Sequence, residues 1–126
     1  MMTTPKEFLA EFRRARALFP DVPTPPMRVK FLMGKRRRLM AHAFPDGRIE
    51  IVWQRYTQLS LEGRIALLRH EIAHVICEAM ERSLNLDPLP EDSKETQDGH
   101  SARWQRIARQ LGGHCQRFFD PDVYRA

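Results

Sequence analysis

The sequence predicts an α+β domain, a small antiparallel sheet of about three strands packed with three helices. Three observations lead there. Residues 27–53 are rich in β-branched and aromatic side chains and include the alternating stretch "RIEIVW". On either side, apolar residues recur at the helical period, over 8–19 and again over 61–79. A last helical stretch, "HSARWQRIARQLGG", is stopped by a double glycine.

The first helix opens at "TPKEFLAEFRRARALF", with Thr4 as N-cap, Pro5 at the first helical position and Glu7 completing a capping box. Phe8, Phe12, Ala15 and Phe19 share one face, which should pack on the core. "PDVPTPP" then breaks regular structure, because proline lacks a backbone donor and restricts the residue before it. The strands are expected at "MRVKFLM" (27–33), "RRLMAHAF" (about 37–44) and "RIEIVW" (48–53). Pro45 to Gly47 forms a hairpin turn between the last two. In the third strand Ile49, Ile51 and Trp53 should face the core, with Arg48, Glu50 and Val52 outward.

From Ser60, a helix cap, the period changes. Leu61, Ile65, Leu68, Ile72, Val75, Ile76 and Ala79 make the apolar face of a long helix ending near Arg82. An acidic, proline-bearing loop follows over 84–99, then the last helix, stopped by Gly112 and Gly113. The reading is one domain over 1–126. Residues 1–26 supply a helix and a proline-rich connection, 27–112 form the core, and 113–126 form a tail without pattern.

Composition narrows the setting. Two cysteines, Cys77 and Cys115, stand far apart and form no CxxC pair, which argues against a zinc ribbon and suits a reducing cytoplasm. No run approaches the roughly 20 apolar residues of a membrane span, and the N-terminus lacks a signal-peptide core. A soluble cytoplasmic protein with no membrane partner is expected. The formal net charge of +5 favours polyanions, and Lys35, Arg36, Arg37 and Arg38 are the candidate DNA contacts, with Arg13, Arg14 and Arg16 as a second group. A solvated basic surface is the plain alternative.

The chemistry concentrates in "LLRHEIAHVICEAM". His70 and His74 stand one helical turn apart on one face, with Cβ atoms expected about 5–6 Å apart. Both imidazoles can then reach one zinc ion at about 2.0–2.1 Å. Glu71 is rotated by about 100° around the helix. From there its carboxylate can take a proton from a water that the metal has acidified to a pKa near 7. The alternative is two histidines satisfied by ordinary hydrogen bonds. A catalytic zinc takes a third protein ligand, and Asp98, His100 and His114 are the downstream candidates. His100 is favoured, because it begins the last helix after a glycine and can swing toward the first histidine pair. His114 stands at the far end of that helix, about 20 Å away by helix rise. His42 reads as a surface or packing histidine, and Glu78 as a surface residue.

"HEIAH" followed by "DGHSARWQRIARQLG" resembles the SprT-like zinc metallopeptidases, which include the Spartan DNA–protein crosslink proteases. That family carries HExxH on one helix and a later D-G-H-G-x-x-[F/W] segment whose histidine is the third ligand. Asp98, Gly99, His100 and Trp104 stand at the matching places, and "GRIEIVWQRY" resembles the strand leading into the family's active-site helix. The likeness spans residues 27 to 112. Ser101 departs from the family's glycine, and no cysteine-rich ribbon stands in this sequence. The resemblance implies a zincin-like minimal metallopeptidase domain, with Zn2+ on His70, His74 and His100, Glu71 as the catalytic base, and a protein or peptide substrate. It also implies action on DNA-associated proteins.

Other residues carry weaker readings. Trp104 either walls the site or fills the core. Cys77 lies within reach of the histidine face, although a buried inert thiol is the plainer reading. Trp53 and Tyr56 read as core aromatics that could line a cleft. Tyr124 and Arg103 are candidate oxyanion partners. If "RIEIVW" formed an exposed edge, a substrate could add to it as a further strand. Two rival functions stay open: a basic nucleic-acid-binding module with a structural zinc, and a zinc hydrolase of a non-peptide substrate.

Overall fold

The structure, a computed structural model, describes residues 4–34, 40–87, 89 and 100–113. The basic run 35–38, Asp98, Gly99, His114, Cys115 and Tyr124 lie outside them. The described chain forms α1 (Lys6–Leu18), β1 (Arg28–Leu32), β2 (Ala41–Ala43), β3 (Arg48–Val52), α2 (Trp53–Tyr56), α3 (Leu61–Leu84) and α4 (Ala102–Leu111). The α+β class holds, with four helices beside a three-stranded sheet.

The sheet is mixed, not antiparallel. Its order is β1-β3-β2, with β1 parallel to β3 and β2 antiparallel to it. The third strand in sequence is therefore the middle one in space. Its composition explains this: Ile49, Ile51 and Val52 are buried and even Glu50 is only 9% exposed, as a strand covered on both faces requires. The three-residue β2 suits an edge, where few backbone groups are left for stray pairing. Two expectations fall with this topology. Glu50 and Val52 do not face solvent, and "RIEIVW" offers no open edge to a substrate. Trp53 leaves the strand to begin α2, where it and Tyr56 pack with Phe31 at ring separations of 5.0 Å.

The β2–β3 hairpin turns where expected. Gly47 has φ +92° and its backbone N–H donates to Phe44 O at 3.0 Å, while Arg28 N–H donates to Gly47 O at 3.1 Å. Asp46 fixes the turn by accepting from Arg48 N–H (3.0 Å) and pairing with Arg28 (2.9 Å). The Arg48 bond is the main reason its carboxyl lies below the usual range. A Cβ on Gly47 would meet the Pro26 carbonyl so closely that the backbone must move. Gly47→Ala should therefore cost about 2 kcal/mol or more, the sum of a left-handed conformation and a displaced loop, read as a lowered urea midpoint.

Local signals set the helix ends. Ser60 Oγ accepts from Gly63 N–H at 3.1 Å as the cap of α3, and the left-handed Asn85 (φ 51°) ends that helix beyond Leu84 instead of near Arg82. Gly112 (φ +78°) ends α4. At α1 the cap is shifted by one: Pro5 holds the N-cap position, with no side-chain cap bond. Phe8, Phe12 and Ala15 are buried as expected, and Phe19 packs partly buried against the same core.

α3 is the spine, packed against α1, α4 and β2 at once. This widens its buried arc beyond the single stripe that periodicity suggests. Leu68, Ile72, Val75 and Ile76 are buried, and so are Leu67, His70, Glu71, Ala73 and Cys77. Leu61, in the first turn, stays 64% exposed. Each fully buried aliphatic side chain contributes about 1.5–3 kcal/mol. Arg69 fixes α1 and α4 to this spine through paired bonds to Glu11 (2.8 and 2.9 Å) and a bond to Gly112 O at 3.2 Å. Arg14 Nη1 donates to Leu111 O at 2.6 Å. Two guanidinium groups thus sit at the negative end of α4.

Candidate metal centre

α3 carries His70 and His74 on successive turns, with ring centroids 5.2 Å apart. His100 stands just before α4, whose first turn is capped by Ser101 Oγ accepting from Trp104 N–H at 3.3 Å. Because α4 packs along α3, this start delivers the third imidazole to the pair. His100 Nε2 lies 3.1 Å from His74 Nε2 and 3.3 Å from His70 Nε2. All three ligand atoms fall within 4.8 Å of one another, close enough to bind one metal ion.

The donor set fits such an ion. A neutral imidazole nitrogen carries one proton or one lone pair, not both. One cation is thus the simplest centre on which three of them can converge. A tetrahedral ion with metal–nitrogen bonds of about 2.0–2.1 Å sets its ligand nitrogens about 3.3–3.4 Å apart, near the two short separations found here. His70 is buried while His74 and His100 are half-buried.

Trp104 is the floor of this cluster and also core, fully buried. Its ring centroid lies 4.7 Å from His70, 5.0 Å from His74 and 4.7 Å from His100. His74 stacks on it at 22° and its indole N–H donates to His70 O at 3.4 Å. Both readings weighed for this residue apply together.

Glu71 occupies the same turn as His70 and points into the protein, 6% exposed, toward β2. Burial pushes its carboxyl up to about 8, and a hydrogen bond from the Ala43 backbone works against that rise. The Ala43 partner was not legible in the sequence, because it depends on which strand of the sheet borders α3.

The remaining candidates sort cleanly. Cys77 is buried, its thiol pushed up to about 12 by burial first and by Glu81 next, and it is not among the side chains whose ligand atoms converge. Glu78 pairs with Arg82 at 2.9 Å on the helix surface. His42 is exposed, against the Phe44 ring. Arg103 is engaged by Glu81 and Asp87 O, each at 2.8 Å. A groove of about 460 Å³ lined by Leu61, Ile65, Arg69 and Gly112 among others contains none of the three histidines.

No helix among the described residues is long and apolar enough to cross a membrane. Comparison with protein-family models, with curated proteins and with solved structures finds no match for this chain.

Proposed function

We propose that this protein is a zinc-dependent metallopeptidase of SprT-like type. The observation that carries the reading is the approach of His100 Nε2 to within 3.1 and 3.3 Å of the two histidines of an HExxH turn. Three imidazoles without a thiolate suit zinc and leave a fourth coordination position for substrate or water, as in catalytic rather than structural sites. Bound there, zinc supplies Lewis acidity, polarising a carbonyl and bringing the pKa of a water near 7.

The protein's own residues do the rest. His70, His74 and His100 hold the ion, and Trp104 keeps their rings in place. Glu71 takes the proton of the attacking water and returns it to the leaving amine. Burial raises its carboxyl, so the neutral acid is not penalised there, and zinc held by the three histidines would stabilise the carboxylate. A protein or peptide is the substrate, with DNA-associated proteins suggested by the net charge of +5 and by the family resemblance.

The test is hydrolysis of an unfolded protein substrate by purified chain, with and without DNA. Cleavage should stop with a chelator and return with zinc. Zinc-loaded protein that leaves every polypeptide intact but binds DNA in a salt-dependent way would favour a binding module instead.

A further inference from the structure

The third ligand poses a mechanical problem. His70 and His74 share α3, but His100 stands before α4, a separate helix, so its place depends on how the start of α4 is held against α3. Something must hold its near end in register.

Arg103 is placed to do so. It lies in the first turn of α4, three residues after His100, and its side chain is only 12% exposed. Nη1 donates to Glu81 Oε2 at 2.8 Å, which ties α4 to the last turns of α3. Nη2 donates to the Asp87 carbonyl at 2.8 Å, just past the Asn85 cap of α3. One planar guanidinium thus clasps the chain before the connection and the helix after it. The other Glu81 oxygen accepts from the Cys77 thiol at 3.5 Å, so the carboxylate is itself oriented. Gln105 Nε2 adds a bond to His100 O at 3.4 Å.

We infer that Arg103 and Glu81 are positioning residues for the metal centre, a clasp that holds His100 at ligating distance from His70 and His74. The inference rests on the three-histidine reading above and adds the device that completes it. Neither residue touches the ion. Their effect on zinc passes mainly through His100, the ligand nearest to them in the chain.

The test is zinc affinity, by competition with a chromophoric chelator, for four proteins: wild type, Arg103→Ala, His100→Ala and the double variant. Removing an outer-shell partner of a metal ligand typically weakens binding about 10–100-fold, and Arg103→Ala should fall in that range. In the His100→Ala background the same substitution should change affinity less than about threefold, since there is no ligand left to position. Glu81→Gln should resemble Arg103→Ala. Arg103→Lys, which keeps the charge but not the fork, should lie between and guards against misfolding of the alanine variant. Wild-type affinity in Arg103→Ala would overturn the clasp while leaving the metal site standing. An equal loss in both backgrounds would make Arg103 merely structural and also overturn it. A wild type that binds zinc no better than His100→Ala would sink the site and the clasp together.

Discussion

Glu71→Gln is expected to abolish the proposed hydrolysis while leaving zinc content unchanged. The substitution keeps the size of the side chain and a carbonyl oxygen that can accept the Ala43 backbone bond. An uncharged amide also suits a position only 6% exposed. What it removes is basicity. General base catalysis contributes about 10²–10⁴-fold, so turnover should fall by at least that range, with zinc still at one per chain by elemental analysis. A nucleic-acid-binding module with a structural zinc makes the opposite prediction, since Glu71 would then be dispensable for its activity. Turnover of Glu71→Gln within a few-fold of wild type would remove this residue from the mechanism.

His74→Ala has the other large effect, on the metal itself. It removes one of the three proposed ligands and the ring stacked on Trp104 at 5.0 Å. Zinc affinity should fall by more than the about 100-fold upper range of outer-shell changes. The consequence for stability follows from mass action. Zinc at about a thousandfold over its dissociation constant stabilises the folded chain by about 4 kcal/mol, and a variant that cannot bind gains none of it. Thermal melts with and without zinc should therefore separate for wild type and coincide for His74→Ala. Coincident melts for both proteins, with zinc in excess, would mean that the wild-type cluster does not bind it.

What could be read from the sequence divides along a physical line. Features set by neighbours in the chain were legible: the Ser60 cap, the turn at Gly47, the αL stop at Gly112, and the His70–His74 spacing. His100 was legible too, because its place before α4 is a local fact and helix packing did the rest. Features set by long-range contacts were not. The mixed sheet depends on β3 being the strand buried on both faces, and alternation in "RIEIVW" pointed to half burial instead. The Ala43 bond to Glu71 depends on that sheet order. The Arg103 clasp joins residues 22 apart, Glu81 and Arg103, and from sequence Arg103 read only as a candidate oxyanion partner. The buried Trp104 had a signal, its place one turn after His100, but sequence could not separate a wall of the site from a core residue. It is both.

One zinc ion is proposed to sit on His70, His74 and His100. Zinc X-ray absorption on the reconstituted wild-type protein tests it most directly. The spectrum should show one zinc per chain with about three imidazole nitrogens at about 2.0–2.1 Å and one oxygen ligand. A sulfur shell at about 2.3 Å, or no stoichiometric zinc at all, would contradict it.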